Sequence, residues 1–171
     1  MRNITITLAF ILLNVICLGQ TKTDKYILRI NFEPSFISTS QLIINSNPDS
    51  SFIELKISKK SNEDKVLLKQ DDLKKLTSFL NYYKFQIKSS FDTVSSNKDG
   101  SVTVSTGTDG ITVIGTFDQN NKQKKFQFWS PKKGTQNHKL IIILFDLLNR
   151  LNMNKNSIEY LKGLKEYFNQ R

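Results

Sequence analysis

Residues 101–131, SVTVSTGTDGITVIGTFDQNNKQKKFQFWSP, hold three strand-like runs separated by turn chemistry. Val102 and Val104 alternate with Ser101, Thr103 and Ser105, and Ile111, Val113 and Phe117 alternate with Thr112 and Thr116. That period of two is what half-buried strands require. In the third run Phe126 and Phe128 take one side and Gln127 and Trp129 the other. Asp109-Gly110 and Asn120-Asn121 lie between the runs, and such pairs accept the positive φ of a tight hairpin. The stretch predicts a three-stranded antiparallel meander.

Working back toward the N-terminus, Tyr26–Phe32, Gln41–Asn45 and Phe52–Lys59 read as further strands. Glu33-Pro34-Ser35 and Asn47-Pro48-Asp49-Ser50 end them, since proline cannot donate to a ladder and the second cluster is strong turn chemistry. Ser61-Asn62-Glu63-Asp64 reads as the next turn, and Val66–Leu68 as a short strand or the approach to a helix. Asp71-Asp72 opens a first helix, where acidic groups suit the positive end of the dipole and can cap free amides. Its stripe is Leu73, Leu76, Leu80 and Tyr83. Ile87–Gly100 reads as a polar connection. After Ser130–Gly134, Thr135 or Asn137 can cap a second helix, whose Leu140–Leu148 segment, LIIILFDLL, is apolar on nearly every side except at Asp146. Such a helix must be covered on most sides, which makes it the central packing helix. Asn156 with Glu159 resembles a capping box opening a third helix, with Ile158, Leu161, Leu164 and Phe168 inward. The predicted fold is α+β: an antiparallel sheet of about six strands with hairpin or meander connections, and helices packed on one face.

The first residues address compartment. Arg2 and the apolar run Ile4–Leu18, ending in Cys17-Leu18-Gly19, form a signal peptide by pattern, too short to span a bilayer as a helix. Cleavage is expected after Gly19, leaving residues 20–171 as a single α+β domain that is periplasmic or secreted. The minority reading is a lipid anchor on Cys17, although Ile16 precedes it where a small residue is wanted. With simple cleavage the mature chain has no thiol, hence no disulfide framework and no thiolate metal site.

The chain carries a formal charge of +10. Loss of Arg2, the leader's single charge, lowers this to +9. Nearly all of it is lysine, and the mature arginines Arg29, Arg150 and Arg171 are far apart. Scarcity of the side chain that forks onto phosphates and guanine edges disfavours nucleic acid as a partner. The partner expected is another protein or an anionic envelope component, with membrane contact only if Cys17 is lipidated or the leader is retained, and the oligomeric state is left unspecified. The densest basic cluster is Lys122, Lys124, Lys125, Lys132 and Lys133 around Trp129, a combination that could receive an acidic protein or another anionic envelope component.

Catalytic patterns are sparse. His138 is the lone histidine, placed at the start of the second helix. The nucleophile elbow, phosphate-binding glycine loop, dinucleotide fingerprint and zinc spacings do not occur. Asn97–Gly100 resembles part of a calcium loop, but Ser95 and Thr106 stand where acidic ligands belong. No cofactor, metal site or catalytic residue is therefore assigned. Carboxylates such as Glu54 and Asp118, or an acid beside Tyr82 or Tyr83, could still meet in space. The functional expectation is an exported, non-catalytic binding module, of which an inhibitor or immunity-type protein is one form. The alternatives are a hydrolase or lyase using carboxylates and tyrosines from separate strands, and a membrane-associated structural protein of the envelope.

Overall fold

Alternation of buried with more exposed side chains becomes an open sheet with one dry face. The computed structural model describes residues 25–35, 37–58, 62–87, 93–96, 102–105 and 110–169. The predicted leader with its cleavage point and Cys17, the Asn97–Gly100 segment and Asp109 lie outside them. The strands are β1 (Tyr26–Pro34), β2 (Ser40–Ser46), β3 (Ser51–Ile57), β4 (Asn62–Leu68), β5 (Thr93–Ser96), β6 (Val102–Ser105), β7 (Ile111–Gln119) and β8 (Lys122–Trp129). The helices are α1 (Gln70–Tyr82), α2 (Gln136–Leu148) and α3 (Lys155–Asn169).

Six strands form an antiparallel sheet in the order β4-β3-β2-β1-β7-β8, so the expected α+β architecture is present. Tyr26, Leu28, Ile30 and Phe32 of β1 are buried beside Leu42 and Ile44 of β2, Ile53, Leu55 and Ile57 of β3, Ile111, Val113 and Phe117 of β7, and Phe126 and Phe128 of β8. These side chains share one face, as the period of two demands. Leu73, Leu76 and Leu80 of α1, Leu140, Leu144 and Leu148 of α2, and Leu161, Leu164 and Phe168 of α3 complete the same core. As expected, α2 is the most enclosed helix; its Asp146 reaches solvent and pairs with Lys75 at 2.9 Å.

The opposite face carries the intervening side chains. In register across the sheet, Lys65, Glu54, Ile43, Arg29, Thr116 and Lys125 form one row, and Glu63, Lys56, Gln41, Asn31, Ile114 and Gln127 form the next.

The three-stranded meander does not form. β7 has two edges, and both are taken: nine residues pair with β1, from Tyr26↔Gln119 to Pro34↔Ile111, and eight pair with β8. The four-residue β6 cannot compete and pairs with β5 in a separate two-stranded sheet. The polar connection predicted before it therefore contains a strand. The β7–β8 hairpin is as expected, with Asn120 and Asn121 at φ 52° and 59°, the left-handed pair of a type I′ turn.

Three local expectations need correction. Asn62–Leu68 is a strand rather than a turn followed by a short strand, because all seven residues pair with β3. The cap of α3 is Asn154, whose side-chain oxygen accepts from the Ser157 N–H at 2.9 Å, so the helix begins before Asn156. The buried stripe of α3 is Ser157, Leu161, Leu164 and Phe168, and Ile158 is left outside. Elsewhere the caps are as read: an Asp72 carboxylate oxygen accepts from the Lys69 N–H at 2.9 Å, and Thr135 Oγ1 accepts from the His138 N–H at 3.2 Å.

Candidate functional site

β8 is the last strand of the sheet, and its alternation divides the candidate cluster. Phe126 and Phe128 point to the helices, so Lys122 and Lys124 share their side while Lys125 and Trp129 take the other. Lys124 lays its ammonium 5.1 Å from the Phe85 ring centre and 5.9 Å from that of Phe117. Trp129 is half-buried, and its indole covers Gly110 so closely that a Cβ there would sit 2.1 Å from the ring. The indole therefore serves packing and is no open platform. Lys132 and Lys133 are exposed in the loop after the strand. The cluster wraps around the rim of an edge strand instead of lining one face.

The tertiary structure adds residues to that rim. After α1 the chain turns extended at Tyr83, whose φ and ψ are −71° and 128°. In an extended run successive side chains alternate, so Tyr83 and Phe85 enter the core while Lys84 and Gln86 face water. Tyr83 and Phe85 pack edge to face at 4.9 Å, and both contact Phe126. This segment is a seam. On one side the Gln127 N–H donates to the Gln86 carbonyl at 3.0 Å; on the other, the Lys84 N–H donates to Gln136 Oε1 at 3.3 Å and the Tyr83 hydroxyl to Asn137 Oδ1 at 2.6 Å. Lys84 thereby joins the β8 lysines, and the exposed Lys139 follows Gln136 and Asn137 in the first turn of α2.

Among the described residues, the stretches that meet at this seam carry no acid. No Asp or Glu occurs between Asp72 and Asp92 or between Asp118 and Asp146, and these are the stretches that meet at the seam. Among the described residues no carboxylate pairs with Lys84, Lys122, Lys124, Lys125, Lys132, Lys133 or Lys139; the ion pairs found are Arg29–Asp118, Lys56–Glu54, Lys56–Glu63 and Lys75–Asp146. Unneutralised like charges on one rim produce a positive field that attracts anions. The acid-free stretches were readable in the sequence; that they converge was not.

The other singled-out groups are dispersed. Glu54 and Asp118 lie on the same sheet face, but β2 and β1 intervene between their strands, which at ~4.8 Å per strand separates them by roughly 14 Å. Asp118 binds Arg29 and accepts from Gln123 at 2.8 Å. Glu54 is 8% exposed; the Lys56 ammonium 2.6 Å away holds its carboxyl below the usual glutamate range, against burial that raises it. Burial pushes the Tyr83 phenol well above its ordinary value. Its hydroxyl meets an amide and no acid, and Tyr82 is 83% exposed. His138 belongs to the first turn of α2. Among the described residues no group of three or more His, Cys, Asp or Glu is gathered as a metal site.

Surface depressions occur away from the seam. One of about 590 Å³ lies at the β7–β8 turn between Lys25, Asp118, Asn121 and Lys122. Another of about 320 Å³ lies between Asn31, Glu33, Gln41 and Lys56 on the open sheet face. A third of about 420 Å³ is lined by Asp71, Lys75, Asp146, Asn149 and Arg150. Each mixes cations with carboxylates, and the first reaches the start of β8, where Asp118 stands beside Lys122 and Gln123. The chain matches no family model, and no curated protein or solved structure shows significant similarity to it.

Proposed function

We propose that this chain is an exported, non-catalytic binding module that receives an anionic partner on the β8 edge. The observation carrying the reading is the convergence of two acid-free, lysine-bearing stretches at the seam around Lys84, Phe85 and Gln86. Export is supported by the n-region and apolar run of residues 2–19. Lysine presents a compact, mobile charge, so this edge favours a broad acidic surface over one fixed bidentate geometry.

Affinity capture from the organism's own cell envelope, at low and high salt, tests the proposal. Wild type is expected to retain an anionic component whose yield falls with salt, and the triple variant Lys124→Glu, Lys125→Glu, Lys132→Glu is expected to lose it. Equal retention by both proteins would refute the assignment of the edge.

A further inference from the structure

Two large apolar side chains stand among the lysines. Tyr82 is 83% exposed and Ile87 is 60% exposed, and they bracket Lys84 on the seam. Neither position is an accident of a loose segment. Tyr82 ends α1 while its neighbour Tyr83 is anchored to Asn137. Ile87 is bridged to Gln127 in parallel, directly beside the hydrogen bond from Gln127 to Gln86. The backbone that carries both residues is thus tied to β8 and to α2, and both side chains are exposed at this rim.

We propose that the β8 edge seats on the anionic surface of a lipid bilayer, with Tyr82 and Ile87 entering the headgroup layer. The inference rests on the anionic-partner reading above and names that partner. A membrane surface is broad and uniformly negative, which suits lysines spread along Lys84, Lys124, Lys125, Lys132 and Lys139 rather than converging on a point. Basic residues near such a surface each contribute attraction that fades within a Debye length. Tyrosine suits the interface because its ring is apolar and its hydroxyl stays hydrated. An acidic protein would be served by the lysines alone, and the two projecting apolar groups favour lipid. Among the described residues no helix is long and apolar enough to cross a membrane, so the contact proposed is peripheral.

The test is co-sedimentation of the purified chain with vesicles of phosphatidylcholine containing about 30% phosphatidylglycerol, against phosphatidylcholine alone. Soluble polyglutamate, read by a salt-dependent shift in fluorescence anisotropy, is the second probe. Binding is expected only to the anionic vesicles. Each of Lys84→Gln and Lys125→Gln should weaken it about fivefold, the worth of one basic residue near the surface. Tyr82→Ser and Ile87→Ser should weaken vesicle binding several-fold while leaving polyglutamate binding unchanged; both side chains are exposed, so neither change disturbs the core. Polyglutamate binding without vesicle binding would overturn the lipid assignment and leave the anionic-partner reading standing. Binding of neither probe would overturn both. Vesicle binding indifferent to Tyr82→Ser and Ile87→Ser would overturn the insertion of these two residues.

Discussion

Gly115→Ala should destabilise the protein far more than its sequence context suggests. Gly115 lies on β7 between Ile30 of β1 and Phe126 of β8, on the buried side of the sheet. The Phe126 ring lies across it: a Cβ at this position would meet Phe126 Cζ at 2.2 Å, Phe126 Cε1 at 2.5 Å and the Arg29 carbonyl oxygen at 2.8 Å. The backbone oxygen cannot withdraw without opening the β1–β7 ladder, so the ring must move. Phe126 is 1% exposed, and it contacts Tyr83 at 5.8 Å, Phe85 at 5.9 Å and Phe128 at 6.1 Å between ring centres. Overpacking costs about 1–3 kcal/mol, and each disrupted aromatic pair adds about 0.5–1.5 kcal/mol. The gain from replacing a strand glycine recovers less than about 1 kcal/mol. The net expectation is a loss of about 2–3 kcal/mol, which at a urea m-value near 2 kcal/mol/M lowers the midpoint by roughly 1 M.

Equilibrium urea unfolding followed by circular dichroism measures this. A double-mutant cycle with Phe126→Leu separates the ring clash from a general intolerance of β7. Because leucine is narrower over the glycine, the cost of Gly115→Ala should shrink by about 1 kcal/mol or more in that background. A midpoint for Gly115→Ala equal to or above wild type, with no coupling to Phe126, would refute the reasoning. It would show that the ring is free to vacate the site.

Two further outcomes follow from the same structure. Gly163 lies in the middle of α3 with open space where a Cβ would go, so Gly163→Ala should raise stability by about 0.5–1 kcal/mol in the same assay; a loss would show that the helix is not formed there. Glu54 is held below its ordinary value of 4.5 by Lys56, so the folded state binds fewer protons than the unfolded one in this range. The stability from Glu54 is present above that value and lost as pH falls through the lowered one. Glu54→Gln should therefore flatten the decline of stability below pH 4.5, and an unchanged acid limb would remove Glu54 as its source.

Much of the local structure was legible because it depends on near neighbours. The alternation in Tyr26–Phe32 and Ile111–Phe117, the Asn120-Asn121 turn, the Thr135 cap and the enclosed helix at Leu140–Leu148 all rest on contacts within a few residues or on a single burial period. The third helix shows the limit of that legibility. Two capping patterns overlap at Asn154 and Asn156, and either Ser157 or Ile158 can extend the stripe of Leu161, Leu164 and Phe168 by spacing; packing buries Ser157 and leaves Ile158 in solvent. The candidate lysines were found by density in the sequence alone, and the structure distributes them over both sides of β8 and the loop after it. Lys84 and Lys139 were missed because each is isolated in sequence from the β8 cluster.

By itself the sequence determined which side chains share a face in β1, β7 and the end of β8, where the β7–β8 hairpin turns, that the protein is strongly basic and that its acids avoid two long stretches. Periodicity carries those facts because it records exposure residue by residue. Only the tertiary structure decided which strands pair. β7 could have joined β6 through the Asp109-Gly110 turn, yet the longer ladder with β1 occupies that edge. It also decided that the acid-free stretches meet, since hydrogen bonds from Gln127 to Gln86 and from Lys84 to Gln136 draw segments together from far apart in the chain. Strand pairing and surface charge are outcomes of competition between distant segments for the same edges and the same core, and no local pattern encodes who wins.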